Sequence, residues 1–212
     1  MPGGPEVRTP PEDARVEVVR KETPFQDYFQ VDRYHLRHRK FDGGWTEVMT
    51  RECFERGHAA AVLPYDAPND AVVLIEQFRV GAYAAALEPW LLESVAGIIG
   101  PGETAEEVVR REALEEANCT ISDLVHIGTI LLTPGGSSET LALFCGRTDS
   151  AGLGGAQGLG LDEEHEDIRV HVVPADDAFA MLRNGKIYNA NAMLPLQWLA
   201  LNRADLRKRW AP

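Results

Sequence analysis

Residues 97–119 read GIIGPGETAEEVVRREALEEANC, and this stretch decides the fold. Thr104 is followed three residues later by Glu107, which is the pattern of a capping box at the start of a helix. The helix is predicted to run to about Ala117. Asn118 comes directly after it, at the position where a left-handed backbone conformation is common and asparagine is the usual second choice after glycine.

The last turns of this predicted helix carry three carboxylates, at Glu112, Glu115 and Glu116. Like charges three or four residues apart repel each other, and the helix dipole disfavours negative charge at this end. Divalent cations between the carboxylates would remove both penalties, and oxygen ligands suit Mg²⁺ or Mn²⁺. Judged on this helix alone, a metal site and a solvated acidic face paired with Arg111 both stay open, because acidic helices are common.

The composition indicates a protein with a real core. The chain has 212 residues, of which 44% are apolar, and its net charge is −12. These values exclude full disorder and disfavour general binding to nucleic acids or anionic membranes. No stretch approaches the ~18 apolar residues of a membrane helix, the first residues do not resemble a signal peptide, and the three cysteines lack metal-site spacing. We therefore expect a cytoplasmic protein with no nucleic-acid or membrane partner.

The rest of the chain predicts a short antiparallel unit followed by a mixed sheet. Alternating apolar residues and the hairpin signal Asp42-Gly43-Gly44 predict strands between residues 16 and 50. Further strands are predicted at 59–63, 71–75, 90–96, 127–132, 141–145 and 168–173, with helices at 175–182 and 192–206. A turn is predicted at 64–70. The glycine-rich residues 152–160 are either a plain surface loop or a lid that carries a carboxylate from the acidic run 162–167 into a site.

The spacing of residues within 97–119 helps to decide between a metal site and a solvated acidic face. Gly97, five residues, Glu103, seven residues, Arg111-Glu112, two residues and Glu115-Glu116 make a pattern that resembles the Nudix box. Such a match arises by chance roughly once in 10⁷ start positions. The chain departs from the family at Asn118, where a glycine is usual. The resemblance implies an α/β/α sandwich around a mixed sheet, and hydrolysis of a nucleoside diphosphate linked to another group.

The resemblance also implies the roles of the acidic residues. Glu103 would be a further acid of the motif, Arg111 would orient the carboxylates, and Gly97 would allow a tight turn. The implied metal ligands are the Ala96 carbonyl, Glu112, Glu115, Glu116 and Glu166. The implied catalytic residues are Glu112, Glu115, Glu116 and Glu164.

Outside the box, the chain resembles the ADP-ribose pyrophosphatases over nearly its full length. The resemblance is carried by Arg51–Ala60, Ile75–Arg79, Thr133–Glu139 and Glu164–Val170. It implies Mg²⁺-dependent hydrolysis of ADP-ribose to AMP and ribose 5-phosphate, with Mn²⁺ as a possible substitute. Glu164 would be the general base. On chemistry alone Glu163 and Glu166 are equally plausible bases, and only the register of Glu164–Val170 selects Glu164.

The substrate-binding residues implied by this subgroup lie in both halves of the chain. Arg79 and Arg56 would bind the diphosphate, Arg51 with Tyr28 would hold the adenine, and Glu139 would bind a ribose hydroxyl. The full set is Tyr28, Phe29, Arg51, Glu52, Arg56, Arg79, Ile98, Thr133, Pro134, Gly135 and Glu139. The plainer interpretation treats Arg51 and Arg56 as surface residues and Tyr28 as ordinary packing.

The domain prediction places an N-terminal tail and antiparallel strands at 1–50 and the hydrolase domain at 51–212. The subgroup resemblance implies a homodimer in which the N-terminal unit is exchanged between subunits. Two alternatives stay open: a hydrolase of another nucleotide sugar, such as GDP-mannose, and a non-catalytic Nudix-fold module that binds ADP-ribose. The intact Glu115-Glu116 pair argues against the second.

Overall fold

The computed structural model describes residues 13–161 and 165–211. These residues divide into two compact units. The first unit comprises the described residues up to 59 together with 98–102 and 130–141, and the second unit comprises 60–97, 103–129 and the described residues from 142 onward.

A three-stranded antiparallel sheet forms most of the first unit, in the order β1 (Val16–Gln26), β2 (Gln30–His38) and β3 (Met49–Glu55). The Arg39–Trp45 bridge closes the predicted hairpin, and Gly43 and Gly44 take the positive φ angles that its turn requires. Strand β1 is exposed along nearly its whole length. The predicted antiparallel unit is therefore confirmed, and it buries little apolar surface of its own.

Within the described residues, the second sheet has eight strands. They are β4 (Ala59–Asp66), β5 (Ala71–Phe78), β6 (Trp90–Glu93), β7 (Val95–Ile98), β8 (Asp123–Leu131), β9 (Thr140–Arg147), β10 (Gln157–Leu159) and β11 (Ile168–Pro174). Their order is β10-β11-β5-β4-β9-β8, with β6 paired to β5 and β7 paired to β4. Strand β5 is buried from Ala71 to Ile75, as expected for an apolar run covered on both faces.

Four helices accompany the described sheets: α1 (Val80–Ala84), α2 (Ala105–Ala117), α3 (Ala175–Arg183) and α4 (Ala190–Arg209). Helices α3 and α4 cover one face of the large sheet, where Leu196 and Leu199 pack with Leu74 of β5 in a buried cluster. Helix α2 packs against β5, β10 and β11. The predicted mixed sheet with helices is confirmed.

Two local predictions differ from the structure. The strand predicted at 90–96 is two strands, because the chain leaves β5 after Glu93 and pairs with β4 from Val95 onward. The turn predicted at 64–70 is shorter, since β4 continues through Asp66 and Tyr65 pairs with Val72. In the glycine-rich segment 152–160, residues 157–159 form the short strand β10, which pairs with β11.

Candidate active site

Helix α2 positions the acidic residues, and local chemistry sets both of its ends. Glu107 N donates to Thr104 Oγ1 over 3.3 Å, and Thr104 N donates to Glu107 Oε2 over 2.8 Å, which is the predicted capping box. Asn118 has φ 48°, the left-handed conformation predicted for it. The Asn118 N–H then satisfies the Leu114 carbonyl, so the exit of the helix is intact without a glycine.

Glu116 is the most buried of the three helix carboxylates, with 2% of its surface exposed. The Ala96 N–H donates to Glu116 Oε2 over 3.1 Å. Burial raises the pKa of Glu116 well above its usual range, and the neighbouring Glu112 raises it further against the opposing effects of Ala96 and Arg79. A solvated acidic face therefore does not describe this residue.

Glu112 lies against the backbone of Gly97. A β-carbon built on Gly97 would fall 1.8 Å from Glu112 Oε1, so no larger residue fits there while the carboxylate keeps its place. Burial raises the pKa of Glu112 to about 7, although the adjacent Arg111 guanidinium acts in the opposite direction. One buried and one largely buried carboxylate thus lie at one end of α2, and nearby positive charge does not offset the cost of burying them.

Arg111 donates hydrogen bonds to three acidic residues of the box. Its Nη1 atom donates to Glu112 Oε1 over 2.8 Å and to Glu115 Oε2 over 2.9 Å. Its Nε atom donates to Glu103 Oε1 over 3.1 Å. This geometry is what an orienting role for Arg111 requires, because one rigid guanidinium fixes three carboxylates at once.

A further carboxylate, that of Glu166 just before β11, lies near α2. Gly160 N donates to Glu115 O over 3.3 Å, and Leu161 N donates to Glu166 Oε2 over 3.1 Å. Glu166 also contributes to the raised pKa values of Glu112 and Glu116. Glu164, the predicted general base, lies outside the described residues.

The donor set at this end of α2 suits a hard divalent cation. It consists of carboxylates, two of them largely buried, and Mg²⁺ and Mn²⁺ prefer such oxygen ligands. Among residues 13–161 and 165–211, no three acidic, histidine or cysteine side chains are already arranged to hold an ion. Arg111 instead pairs with Glu112 and Glu115. The predicted ligands therefore have the right chemistry, and their assignment stays a prediction.

Arg79 and Glu93 form a pair that the sequence prediction missed in part. Arg79 was predicted, but its partner was not: Arg79 Nε and Nη2 lie 2.8 and 2.7 Å from Glu93 Oε2. The signal was an acidic residue within the apolar strand predicted at 90–96. A charged residue at a buried strand position needs a charged partner, and that reasoning identifies Glu93 as a candidate without identifying Arg79 as its partner.

In the first unit, the structure groups several predicted substrate-binding residues. Arg56 Nε lies 3.5 Å from Glu139 Oε1, and the Arg56 guanidinium lies over the Phe29 ring at 5.4 Å. Tyr28 packs edge-on against Phe29. Arg56 Nε is buried and has no hydrogen-bond partner among the described residues. Burial raises the pKa of Glu139, and Arg56 opposes that rise.

The other predicted residues of this unit lie at its surface strands and turns. Arg51 donates to the Thr50 carbonyl, and Glu52 pairs with Arg33 of β2 at 2.7 Å. Thr133 accepts hydrogen bonds from Gly136 N and Ser137 N, which closes the turn containing Pro134 and Gly135. The predicted residues of this unit are Tyr28, Phe29, Arg51, Glu52, Arg56, Ile98, Thr133, Pro134, Gly135 and Glu139, whereas Arg79, Ala96, Glu112, Glu115, Glu116 and Glu166 belong to the second unit.

Comparison with known proteins decides the family. The family model for the NUDIX domain matches residues 55–194. The chain belongs to the Nudix family. The sequence resemblance is thereby confirmed, and the box lies entirely within the matched region.

Curated relatives of this Nudix protein cover most of its length. It is 45% identical over 196 residues to the ADP-ribose pyrophosphatase of Escherichia coli strain K12, covering 92% of this chain and 93% of that protein. It is 41% identical over 198 residues to the ADP-ribose pyrophosphatase of Haemophilus influenzae, covering 92% and 90%. The GDP-mannose pyrophosphatase of Pectobacterium atrosepticum is 30% identical over 183 residues, covering 86% and 92%.

The fold of this Nudix protein also matches a solved structure, a crystal structure of an ADP compounds hydrolase. The TM-score is 0.65 at 19% identity, and the match covers 90% of this chain and 97% of the other. At that identity the likeness concerns the fold. In the described part of the chain, no helix has the length and apolar character needed to cross a membrane.

Proposed function

We propose that this Nudix protein hydrolyses the diphosphate of ADP-ribose to AMP and ribose 5-phosphate, using Mg²⁺. The observation that carries the proposal is the pair formed by the largely buried Glu112 and the buried Glu116, held against Gly97 and Ala96 in a family of metal-dependent hydrolases. The substrate follows from the relatives, because identity to ADP-ribose pyrophosphatases reaches 45% and identity to the GDP-mannose pyrophosphatase reported above is 30%.

Nudix ADP-ribose pyrophosphatases depend on divalent metal ions. In this chain the residues that would hold them are the Ala96 carbonyl, Glu112, Glu115, Glu116 and Glu166. Divalent ions held by these residues would neutralise charge on the diphosphate and on the leaving phosphate. Mg²⁺ is proposed over Mn²⁺ because it is the usual partner of carboxylates and phosphates together.

The side chains outside the metal set would bind and orient the substrate. Arg79 and Arg56 would contact the diphosphate, since a guanidinium offers paired donors to phosphate oxygens. The buried Arg56 Nε, which has an ion-pair contact with Glu139 but no hydrogen-bond partner among the described residues, supports this role. Glu139, beside Arg56, would accept a hydrogen bond from a ribose hydroxyl.

The adenine would lie against Tyr28 and beside Arg51. Tyr28 is 55% exposed and is supported from behind by Phe29, so its ring is available for stacking on a base. Ile98, Thr133, Pro134 and Gly135 would line the pocket, and Phe29 and Glu52 would complete the substrate-binding set.

Proton transfer is assigned to Glu164. In this role its carboxylate takes the proton of the attacking water, which needs a base placed within hydrogen-bond reach. The assignment rests on the register of the segment that ends in β11, and Glu163 and Glu166 are the alternatives that mutation must separate.

We further propose a cytoplasmic homodimer in which residues 1–50 are exchanged between subunits, so that Tyr28 serves the partner's site. Strand β1 supports the dimer, because Val16, Val18, Val19 and Phe25 are all exposed on it. A small sheet with this much uncovered apolar surface is typical of one that another chain covers.

A substrate panel tests the proposal. At fixed Mg²⁺, ADP-ribose and GDP-mannose are compared by kcat/KM, and ADP-ribose is expected to be preferred. Glu116→Gln and Glu164→Gln are each expected to lower kcat by several orders of magnitude without unfolding the protein. Preference for GDP-mannose would support the second candidate function, which the relatives favour less. Tight ADP-ribose binding without AMP formation would support the non-catalytic module.

A further inference from the structure

The ion pair between Arg79 and Glu93 is unevenly buried. The Glu93 side chain is 6% exposed, whereas the Arg79 side chain is 41% exposed. Both contacts, from Arg79 Nε and Nη2, go to the single oxygen Glu93 Oε2. A buried carboxylate therefore holds one edge of a partly exposed guanidinium, and arginine carries further N–H donors in the same rigid plane.

Strand geometry explains why the two residues meet. Strand β6 pairs with β5 in the register Ile75–Glu93 and Gln77–Leu91. Side chains alternate along a strand, so Ile75, Gln77 and the still extended Arg79 share one face, and Glu93 lies on that face as the partner of Ile75. Arg79 N also donates to Pro89 O over 2.7 Å, which anchors its backbone.

This strand face is directed toward the carboxylates of α2. Helix α2 packs against β5, and Leu74, on the opposite face of that strand, packs with Leu196 and Leu199 of α4. Gln77 is buried on the same face, and its Nε2 atom has no hydrogen-bond partner among the described residues. A buried donor of this kind is usually satisfied by water or a ligand, which is consistent with a substrate-facing surface.

We propose that Glu93 is a positioning residue that holds the Arg79 guanidinium in the orientation in which its free N–H donors contact the substrate diphosphate. This inference rests on the proposed function, since the diphosphate is the ligand that Arg79 would meet. Glu93 acts through Arg79 and touches neither the substrate nor the metal.

Kinetics of Glu93→Gln test the inference. Glutamine keeps the size of glutamate and removes its charge, so Arg79 loses its strongest constraint. We expect KM for ADP-ribose to rise about tenfold, the size expected for weakening one charge-assisted contact, while kcat changes by less than about threefold because the contact is made in both ground and transition states.

The matched control is Glu76→Gln. Glu76 lies on β5, the strand that pairs with β6, and its Oε2 atom pairs with Arg169 at 3.5 Å and with His171 at 2.9 Å. The Glu76→Gln substitution removes the same charge from another ion-paired glutamate, on the face of β5 opposite to Arg79. Its KM is expected to equal that of the wild type.

A double-mutant cycle with Arg79→Gln separates positioning from other roles. In the Arg79→Gln background, Glu93→Gln is expected to change KM by less than about twofold, because the residue through which Glu93 acts is already absent. An equal effect of Glu93→Gln in both backgrounds would overturn the inference. So would a lowered KM, or a lowered melting temperature with KM unchanged.

Two further measurements keep the test decisive. If Glu93→Gln does not fold, Glu93→Asp keeps the charge but shortens the side chain, and its KM is expected to rise by a smaller factor; an unchanged KM overturns the inference. Wild-type turnover in the same assay reports on the proposed function separately. A wild type that does not hydrolyse ADP-ribose refutes that function, whereas an active wild type with an unaffected Glu93→Gln variant refutes the inference alone.

Discussion

Gly97 and Glu112 lie so close together that a β-carbon on Gly97 would fall 1.8 Å from Glu112 Oε1 and 2.3 Å from Glu112 Cδ. The glycine is therefore required by a specific side chain, because its φ angle is not in the left-handed region. Any larger residue there must displace the Glu112 carboxylate, which we propose as a metal ligand.

The first prediction is that Gly97→Ala lowers kcat/KM for ADP-ribose by roughly a hundredfold or more, since misplacing a ligand by about 1 Å costs catalysis heavily. Gly81→Ala is the control, because a β-carbon there meets nothing within 4 Å and φ is not positive. The control is expected to keep wild-type kinetics. Normal kcat/KM for Gly97→Ala would show that the position of Glu112 does not matter.

The second prediction concerns Glu116→Gln in thermal unfolding. Because burial disfavours the charged form of Glu116, the variant is expected to melt at or above the wild-type temperature in chelator. Added Mg²⁺ should stabilise the wild type and leave the variant nearly unchanged, since ligand binding stabilises the folded state by mass action. Glu106→Gln, exposed at the start of the same helix, should respond to Mg²⁺ like the wild type. Equal Mg²⁺ stabilisation of Glu116→Gln would remove Glu116 from the ligand set.

The ends of α2 show what the sequence alone can predict. Both ends of α2 can be predicted from Thr104, Glu107 and Asn118, because capping depends on residues within one turn of each other. The break at Ser94 was not predictable in this way. Residues 90–96 read as one apolar run, and the strand changes partner because β5 and β4, distant in sequence, each offer an edge to pair with.

The candidate site likewise has some features that the sequence predicts and others that depend on contacts between distant residues. The acids of the box and their helix followed from spacing, and so did the glycine beside them. The partner of Arg79 did not, because the meeting of Arg79 with Glu93 depends on the register between β5 and β6. Burial of Glu116, which rules out a solvated face, likewise depends on packing against residues remote in sequence.

The third prediction is about stability and pH. Arg203 donates from Nε to Asp70 Oδ1 over 2.8 Å, and this hydrogen bond is the main reason that the pKa of Asp70 is lowered from its usual value. A depressed carboxylate pKa stabilises the fold above the unfolded-state pKa, near 3.8, and that contribution is lost as the pH falls further.

Arg203→Gln is therefore expected to cost about 1–3 kcal/mol at pH 7, and to lose less stability than the wild type between pH 5 and pH 2. Urea unfolding across that range measures both effects. Lys208→Gln, in an exposed pair with Asp205 at 3.8 Å, should change little at any pH. Parallel pH profiles for Arg203→Gln and the wild type would contradict the account of this pair.

The fourth prediction addresses the proposed dimer. Val18 is 50% exposed on β1, so its replacement by aspartate should not disturb the fold of one chain but should oppose burial in an apolar interface. Sedimentation equilibrium is expected to give twice the mass of one chain for the wild type and a lower average for Val18→Asp. A wild type that sediments as a single chain at micromolar concentration would contradict the dimer and the exchange of residues 1–50.

The central claim, hydrolysis of the ADP-ribose diphosphate, is tested most directly by product analysis in ¹⁸O-labelled water. ADP-ribose is incubated with the protein and Mg²⁺, and the products are separated by chromatography and weighed by mass spectrometry. We expect AMP and ribose 5-phosphate in equal amounts, with one ¹⁸O atom in the phosphate of one of them. Unchanged ADP-ribose, or products that carry no label, would contradict it.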